Sequence, residues 1–227
     1  MKQVLAIISI FMLFACSDQP SQEKTTPVLE AEKGIIAPAI PSQEQVAAPA
    51  EDEERTEWQN PDLVLKVLGD LTNKVVADVG AGSGYFAFKI ARTAKKVIAL
   101  DIDPNSLEYI KDQKSIVGSW ANNIETRLTP PDVPNLLDSE ADVVLIVNTY
   151  GYIPNKDKYL VRVLQGLKQG GRLVIIDFKS GDIPVGPSEE NKVLAKDLKL
   201  SLINSGFKKI REDRKSLQYQ YIITGEK

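Results

Sequence analysis

Carboxylates and glycines carry the chemistry available to this chain. Asp78 stands two residues before a turn of alternating glycines, Gly80, Gly82 and Gly84, and Asp101 follows 21 residues after Gly80. The run Val76-Ala77-Asp78-Val79 is apolar apart from the acid, as a buried strand would be, and Tyr85-Phe86 opens a helical pattern behind the turn. Alternate glycines suit a tight turn whose backbone a ligand must approach with no Cβ in the way. A carboxylate at the end of the next strand can accept two hydrogen bonds from ribose hydroxyls. Strand, turn, helix, strand and acid together describe a site for a nucleoside-like ligand. Asp78 also admits a simpler role in bracing the turn, and Asp103 reads as the cap of a helix that starts at Pro104.

The residue inventory narrows the chemistry further. The 227 residues include one Cys and no His, which excludes a disulfide framework, a His/Cys zinc site, a Ser-His-Asp triad and a Cys-His dyad. No metal site is expected, and acid–base work falls to carboxylates, Tyr, Lys or backbone. The formal net charge of −3 argues against a general polyanion binder. Lys208, Lys209 and Arg211 alternate with acids and read as a solvated edge. The dinucleotide fingerprint needs glycine where Tyr85 stands, and no phosphate-loop Gly-Lys-Ser/Thr is present.

These residues must be held by elements that the hydrophobic pattern outlines. Helical spacing covers residues 61–71, 85–93, 104–111, 156–168 and 189–205, with Gly170-Gly171 as the expected stop of the fourth. Apolar runs at residues 74–79, 96–100, 141–147 and 172–178 read as buried strands, and two late strands fall near 208–213 and 218–224. Strands alternating with helices imply an α/β fold with a mostly parallel, doubly wound sheet.

The first 54 residues stand apart. Lys2 precedes an apolar stretch from Val4 to Ala15, too short to span a bilayer at roughly 20 residues but suited to a signal-peptide core. It ends in Leu13-Phe14-Ala15-Cys16-Ser17, which resembles a bacterial lipoprotein lipobox, with a bulkier Phe14 than is usual there. The resemblance implies lipidation of Cys16 and a place in the cell envelope, anchored to a membrane on its non-cytoplasmic side. Residues 17–54 are rich in Pro, Ala, Gln, Ser and Glu and read as a disordered tether. The expected organisation is thus signal peptide at 1–16, tether at 17–54 and one folded domain at 55–227.

The Asp78-x-Gly80-x-Gly82-x-Gly84 turn resembles the first motif of class I S-adenosylmethionine-dependent methyltransferases. The resemblance implies that S-adenosylmethionine is the cofactor, held by Asp78, Gly80, Gly82 and Gly84 at its amino-acid half and by Asp101 at its ribose. It also implies a seven-stranded Rossmann-like sheet with an antiparallel C-terminal strand. Asp142 to Asn148 is similar to the family's fourth strand, and Leu167-Lys168-Gln169-Gly170-Gly171-Arg172-Leu173 to the entry of its fifth, with Gln169 replacing the usual Pro. A bacterial subgroup of such methyltransferases carries Arg-x-x-Trp-Gln-x-Pro-Asp before the domain and Gln-Tyr near its end. Those features stand here as Arg55 to Asp62 and Gln218 to Tyr221. Two segments depart from the family. Thr149-Tyr150-Gly151-Tyr152-Ile153 lacks the subgroup's histidines, and Asp132 does not align with an acid near the adenine.

Methyl transfer needs little beyond alignment of the acceptor with an activated methyl group, so the absence of His and Cys does not oppose it. Asn148, Tyr150 and Asp177 are the candidate catalytic residues, with Tyr152 and Lys179 beside them at strand ends. The acceptor is expected to be a small molecule and not nucleic acid. A binding module that uses this fold without turnover is the alternative. Trp58 is either a staple that packs the first helix down or part of a cover over the open end of the sheet.

Overall fold

Two short helices precede the sheet in the computed structural model, which describes residues 53–227. Cys16, the apolar leader and the expected tether up to residue 52 lie outside the described residues. Helix α1 (Glu53–Gln59) begins within the acidic run, and α2 (Pro61–Leu68) follows at once. Asn60 makes this sharp joint possible: at φ 47° it is left-handed, and its side chain accepts from Leu63 N to cap α2.

The remaining elements are β1 (Val75–Val79), α3 (Tyr85–Ala91), β2 (Lys96–Asp101), α4 (Pro104–Val117), β3 (Ile124–Leu128), β4 (Ala141–Val147), α5 (Lys156–Gly166), β5 (Leu167–Phe178), α6 (Ala195–Asn204), β6 (Lys208–Asp213) and β7 (Gln220–Glu226). The seven strands lie in the order β3-β2-β1-β4-β5-β7-β6. β1 to β5 pair in parallel, and β7 runs antiparallel to both β5 and β6. Strand order reverses between β1 and β4, which opens a crevice at their carboxyl ends, where ligands of such sheets bind.

Period-two alternation sends β4 side chains to two cores. Val143, Leu145 and Val147 pack with α2, α3 and α4, whereas Val144 and Ile146 pack with α5 and α6. Coverage on both faces explains why the central strands read as continuous apolar runs.

Two sequence expectations need correction. Gly170-Gly171 do not end α5, which stops at Gly166. Burial of Leu167 against Ala141 starts β5 early, and residues 168–171 form the irregularity before Arg172 pairs with Val143. The helix expected over 189–205 is also broken: a single 3-10 turn, Glu189–Asn191, precedes extended residues 192–194 and then α6. Tyr221, buried in β7, donates its hydroxyl to the Val193 carbonyl at 2.9 Å and holds the break open. No helix among the described residues is long and apolar enough to cross a membrane.

Candidate functional site

The glycine turn leaves β1 and enters α3 with Gly80, Gly82 and Gly84 all at positive φ, 72°, 53° and 89°. Their surroundings differ. A Cβ on Gly80 would lie 2.2 Å from Thr149 Oγ1, and one on Gly84 would lie 2.8 Å from the Phe88 ring. Those two glycines let the turn close against β4 and α3. A Cβ on Gly82 would meet nothing within 4 Å, so Gly82 alone presents its backbone to open space.

Asp101, at the end of β2, braces the turn from the side. Its Oδ2 accepts from Gly82 N at 2.7 Å and its Oδ1 from Asp103 N at 2.9 Å. Each oxygen keeps lone-pair capacity for another donor. Asp103 caps α4, accepting from Asn105 N, Ser106 N and Ser106 Oγ.

Asp78 is 3% exposed, and its Oδ2 has no hydrogen-bond partner among the described residues. Burial pushes its pKa up to about 7; the Arg55 guanidinium opposes the rise, and the Asp101 charge adds to it. Asp78, Gly82, Tyr85, Val147 and Arg55 line a cavity of about 140 Å³. An under-satisfied carboxylate in a cavity is the pattern expected where a cation is to be received.

Helix α1 closes one side of this cavity. The Arg55 guanidinium carbon lies 4.2 Å from the Tyr85 ring centroid, and Lys89 Nζ lies 4.8 Å from the same centroid. The Thr56 and Tyr85 hydroxyls are 2.9 Å apart, and the Trp58 ring tilts against Phe178 at 5.6 Å. Gln59 completes a closed ring of three amides. Its Nε2 donates to Gln220 Oε1 at 2.8 Å, Gln220 Nε2 donates to Asn148 Oδ1, and Asn148 Nδ2 donates to Gln59 Oε1 at 2.9 Å. Gln59 and Gln220 are fully buried, and Asn148 takes a left-handed φ of 57°. α1 is thereby joined to the carboxyl end of β4 and the start of β7.

The other candidates lie elsewhere. Asp177 shares a sheet face with Leu173 and Ile175, opposite the face that carries Asp78 and Val76. Its Oδ1 accepts from Phe178 N at 2.8 Å and its Oδ2 from Gly151 N at 3.2 Å. Burial raises its pKa to about 6, with these backbone donors and Lys156 holding the rise back. Tyr150 is 1% exposed on that same face, and burial pushes its pKa up. Tyr152 is half-buried and its pKa is also raised, first by burial and then by Asp177 and Glu190. Lys179 Nζ donates to the Leu217 and Gln218 carbonyls, and Asp132 is exposed. The structure therefore brings Asp78, the glycine turn and Asp101 together, sets Asn148 beside α1, and groups Tyr150 with Asp177 behind the sheet.

Three features of the site escaped the sequence reading. Arg55 lines the cavity. Gln220 joins Gln59 across 161 residues, although the subgroup signature contained both glutamines. Ile102 and Leu128 remain 40% and 54% exposed at the carboxyl ends of β2 and β3. Isolated apolar residues after strand ends were the available signal for the last pair.

A family model described as a methyltransferase domain matches residues 70–220. A demethylmenaquinone methyltransferase of Tropheryma whipplei is 34% identical over 113 residues, covering 50% of this chain and 45% of that protein. A tRNA U34 carboxymethyltransferase of Desulfotalea psychrophila is 29% identical over 126 residues, covering 56% and 38%. The matches thus span about half the length or less of these curated relatives. Among solved structures, an S-adenosylmethionine-dependent methyltransferase from Aquifex aeolicus superposes with a TM-score of 0.69 at 24% identity, covering 77% of this chain and 93% of that one. The [4+2]-cyclase SpnF superposes at 0.65 with 16% identity, covering 80% and 85%.

Proposed function

Because the chain belongs to the S-adenosylmethionine-dependent methyltransferase family, we propose that its folded domain binds this cofactor at the Gly80–Gly84 turn and methylates a small organic acceptor. The observation that carries the reading is Asp78, a buried carboxylate with an unpartnered oxygen in a cavity beside an open glycine. The cofactor's ammonium is the group that would satisfy it, and when bound the cofactor supplies a methyl group already activated by its sulfonium. Gly82 leaves the approach to the backbone open. Asp101 retains lone pairs for ribose hydroxyls while its bond to Gly82 fixes its direction. Ile102 and Leu128 offer exposed apolar walls of the kind an adenine ring needs.

On the acceptor side, α1 shields the cavity's flank through Arg55, and the same helix packs Trp58 against Phe178. Asn148 acts as a positioning residue through the amide ring. Asp177, by accepting from Gly151 N, and the buried Tyr150 set the course of the segment after β4. Tyr152 is half-buried and, like any tyrosine at neutral pH, keeps a hydroxyl proton that it can donate in a hydrogen bond. Catalysis on this reading is chiefly alignment. The net charge of −3 supports a small acceptor over nucleic acid. Lipidation at Cys16 would hold the domain at the envelope; a Cys16→Ala variant should then lose fatty-acid labelling and leave the membrane fraction.

A binding role without turnover is the second reading, favoured by the engagement of Asn148 and Asp177 in structural hydrogen bonds. Calorimetry with S-adenosylhomocysteine and transfer of labelled methyl to an envelope extract separate the two. Binding with transfer supports the enzyme, binding without transfer the module, and no binding rejects both.

A further inference from the structure

β5, β7 and β6 assemble a second cavity at the opposite end of the sheet from the glycine turn. Arg172 pairs with Glu226, and Arg211 pairs with Thr224. Directly paired residues share a sheet face, so these four side chains leave the same side. With Lys209, Gly225 and Val67 of α2 they line a cavity of about 210 Å³.

The charges in this cavity do not balance. Three cations, Arg172, Lys209 and Arg211, face one carboxylate, Glu226. Lys209 Nζ already holds Glu226 at 2.7 Å, and that contact, with the nearby arginines, keeps the Glu226 carboxyl below its usual range. The guanidiniums of Arg172 and Arg211 make no hydrogen bond or ion pair with the described residues. Arg172 is half-buried, and burial lowers its pKa, with Glu226 opposing the fall, so its charge is held in a partly desolvated place with one carboxylate shared among three cations. The backbone is shaped around it. Gly69, at φ 68°, ends α2 where a Cβ would come within 3.1 Å of Arg172 Nη2. Lys209 takes a left-handed φ of 47° within the irregularity between Lys208 and Arg211 on edge strand β6. Irregularities of this kind re-aim side chains, and a non-glycine residue held there is strained.

We propose that this cavity is an anion site that takes a phosphoryl group. Its excess of two positive charges matches a phosphate dianion, two guanidinium forks suit its oxygens, and the Thr224 hydroxyl supplies a further donor. The group could belong to a soluble phosphate or to a lipid headgroup. Neither the site nor its ligand depends on the methyl-transfer reading.

Titration of the protein with inorganic phosphate at constant ionic strength, with chloride as the control anion, tests the chemistry. Saturable phosphate binding is expected, weakened at least tenfold in Arg172→Gln and in Arg211→Gln. Arg211 lies exposed on the edge strand, so its variant keeps the test open if Arg172→Gln fails to fold. Flotation of the Cys16→Ala chain with phosphatidylglycerol or phosphatidylcholine vesicles identifies the source. Arginine-dependent flotation with the anionic vesicles alone assigns a headgroup, whereas phosphate binding without flotation assigns a soluble ligand. Absence of both, or binding that neither substitution weakens, overturns the site. S-adenosylhomocysteine affinity should be the same in all these variants, which keeps this result separate from that of the glycine turn.

Discussion

Two aspartates at the carboxyl ends of β1 and β5, the strands on either side of β4, are nearly equally buried, Asp78 at 3% and Asp177 at 2% exposure, yet they occupy opposite conditions. Asp177 accepts from two backbone N–H groups and has Lys156 nearby. Asp78 keeps one oxygen without a partner and opens on a cavity. Burial raises both pKa values, to about 6 for Asp177 and about 7 for Asp78. Burial alone therefore does not mark the functional carboxylate; the unmet hydrogen-bond capacity does. The comparison also separates the two faces of the sheet. Asp177 lies on one face with both oxygens engaged, and Asp78 on the other with an oxygen open to a cavity.

The largest expected effect comes from removing the satisfied carboxylate. Asp177→Ala should cost about 2–4 kcal/mol in denaturant unfolding, because two backbone donors lose their acceptor and the nearby Lys156 loses a counter-charge. Asp78→Asn should go the other way in the unliganded protein, raising stability at pH 8 by about 1–3 kcal/mol while abolishing detectable S-adenosylhomocysteine binding. If both variants lose stability alike, the contrast fails.

The pH dependence sharpens it. An unfolded aspartate releases its proton near pH 4, but folded Asp78 holds one until about pH 7. The folded state binds more protons across that window, so the stability of the unliganded protein falls as pH rises and levels off above pH 7. Asp177 contributes in the same sense but only to about pH 6. The slope between pH 6 and 7 therefore comes chiefly from Asp78, and melting curves of Asp78→Asn should show it much reduced.

A smaller change is expected at the ribose position. Asp101→Asn should weaken S-adenosylmethionine binding by roughly 1–3 kcal/mol in a folded protein, the scale of charge-assisted hydrogen bonds. Unchanged calorimetric affinity would sink that assignment. The subtlest test reads Trp58 fluorescence in a Trp120→Phe background. With α1 flanking the cavity, saturation with S-adenosylhomocysteine should alter it, whereas a tryptophan that only staples the helix would stay silent.

Much of this arrangement was legible because the central strands are buried on both faces and the turn must be glycine-rich. β4 and β6 matched their expected limits, and Asp101 lies against the glycine turn, bonded to Gly82 N. The apolar pattern did not single out β3. It is an edge strand reading Ile-Glu-Thr-Arg-Leu, whose Arg127 is held by Glu125 and by both oxygens of Glu140. Gly170-Gly171 misled because a local helix-ending rule competed with the burial of Leu167 in the sheet. A cover over the open end of the sheet was one of two readings of the Trp58 segment, but the amides that hold α1 in place were not legible, since the fold brings them together. Local pattern reports what a segment buries, not which distant segment it meets.

The amide ring gives the molecule a latch with no charge in it. Gln59, Asn148 and Gln220 each donate once and accept once, so neither acid nor salt offers a way to open it. Cutting it is another matter. The family match begins at residue 70, beyond α1 and α2. A fragment trimmed to that boundary would keep the glycine turn and all seven strands, yet leave two buried amides facing the gap vacated by Gln59. The working unit of this protein therefore starts before its recognisable domain does, and any shortened version should retain the chain from Glu53 onward.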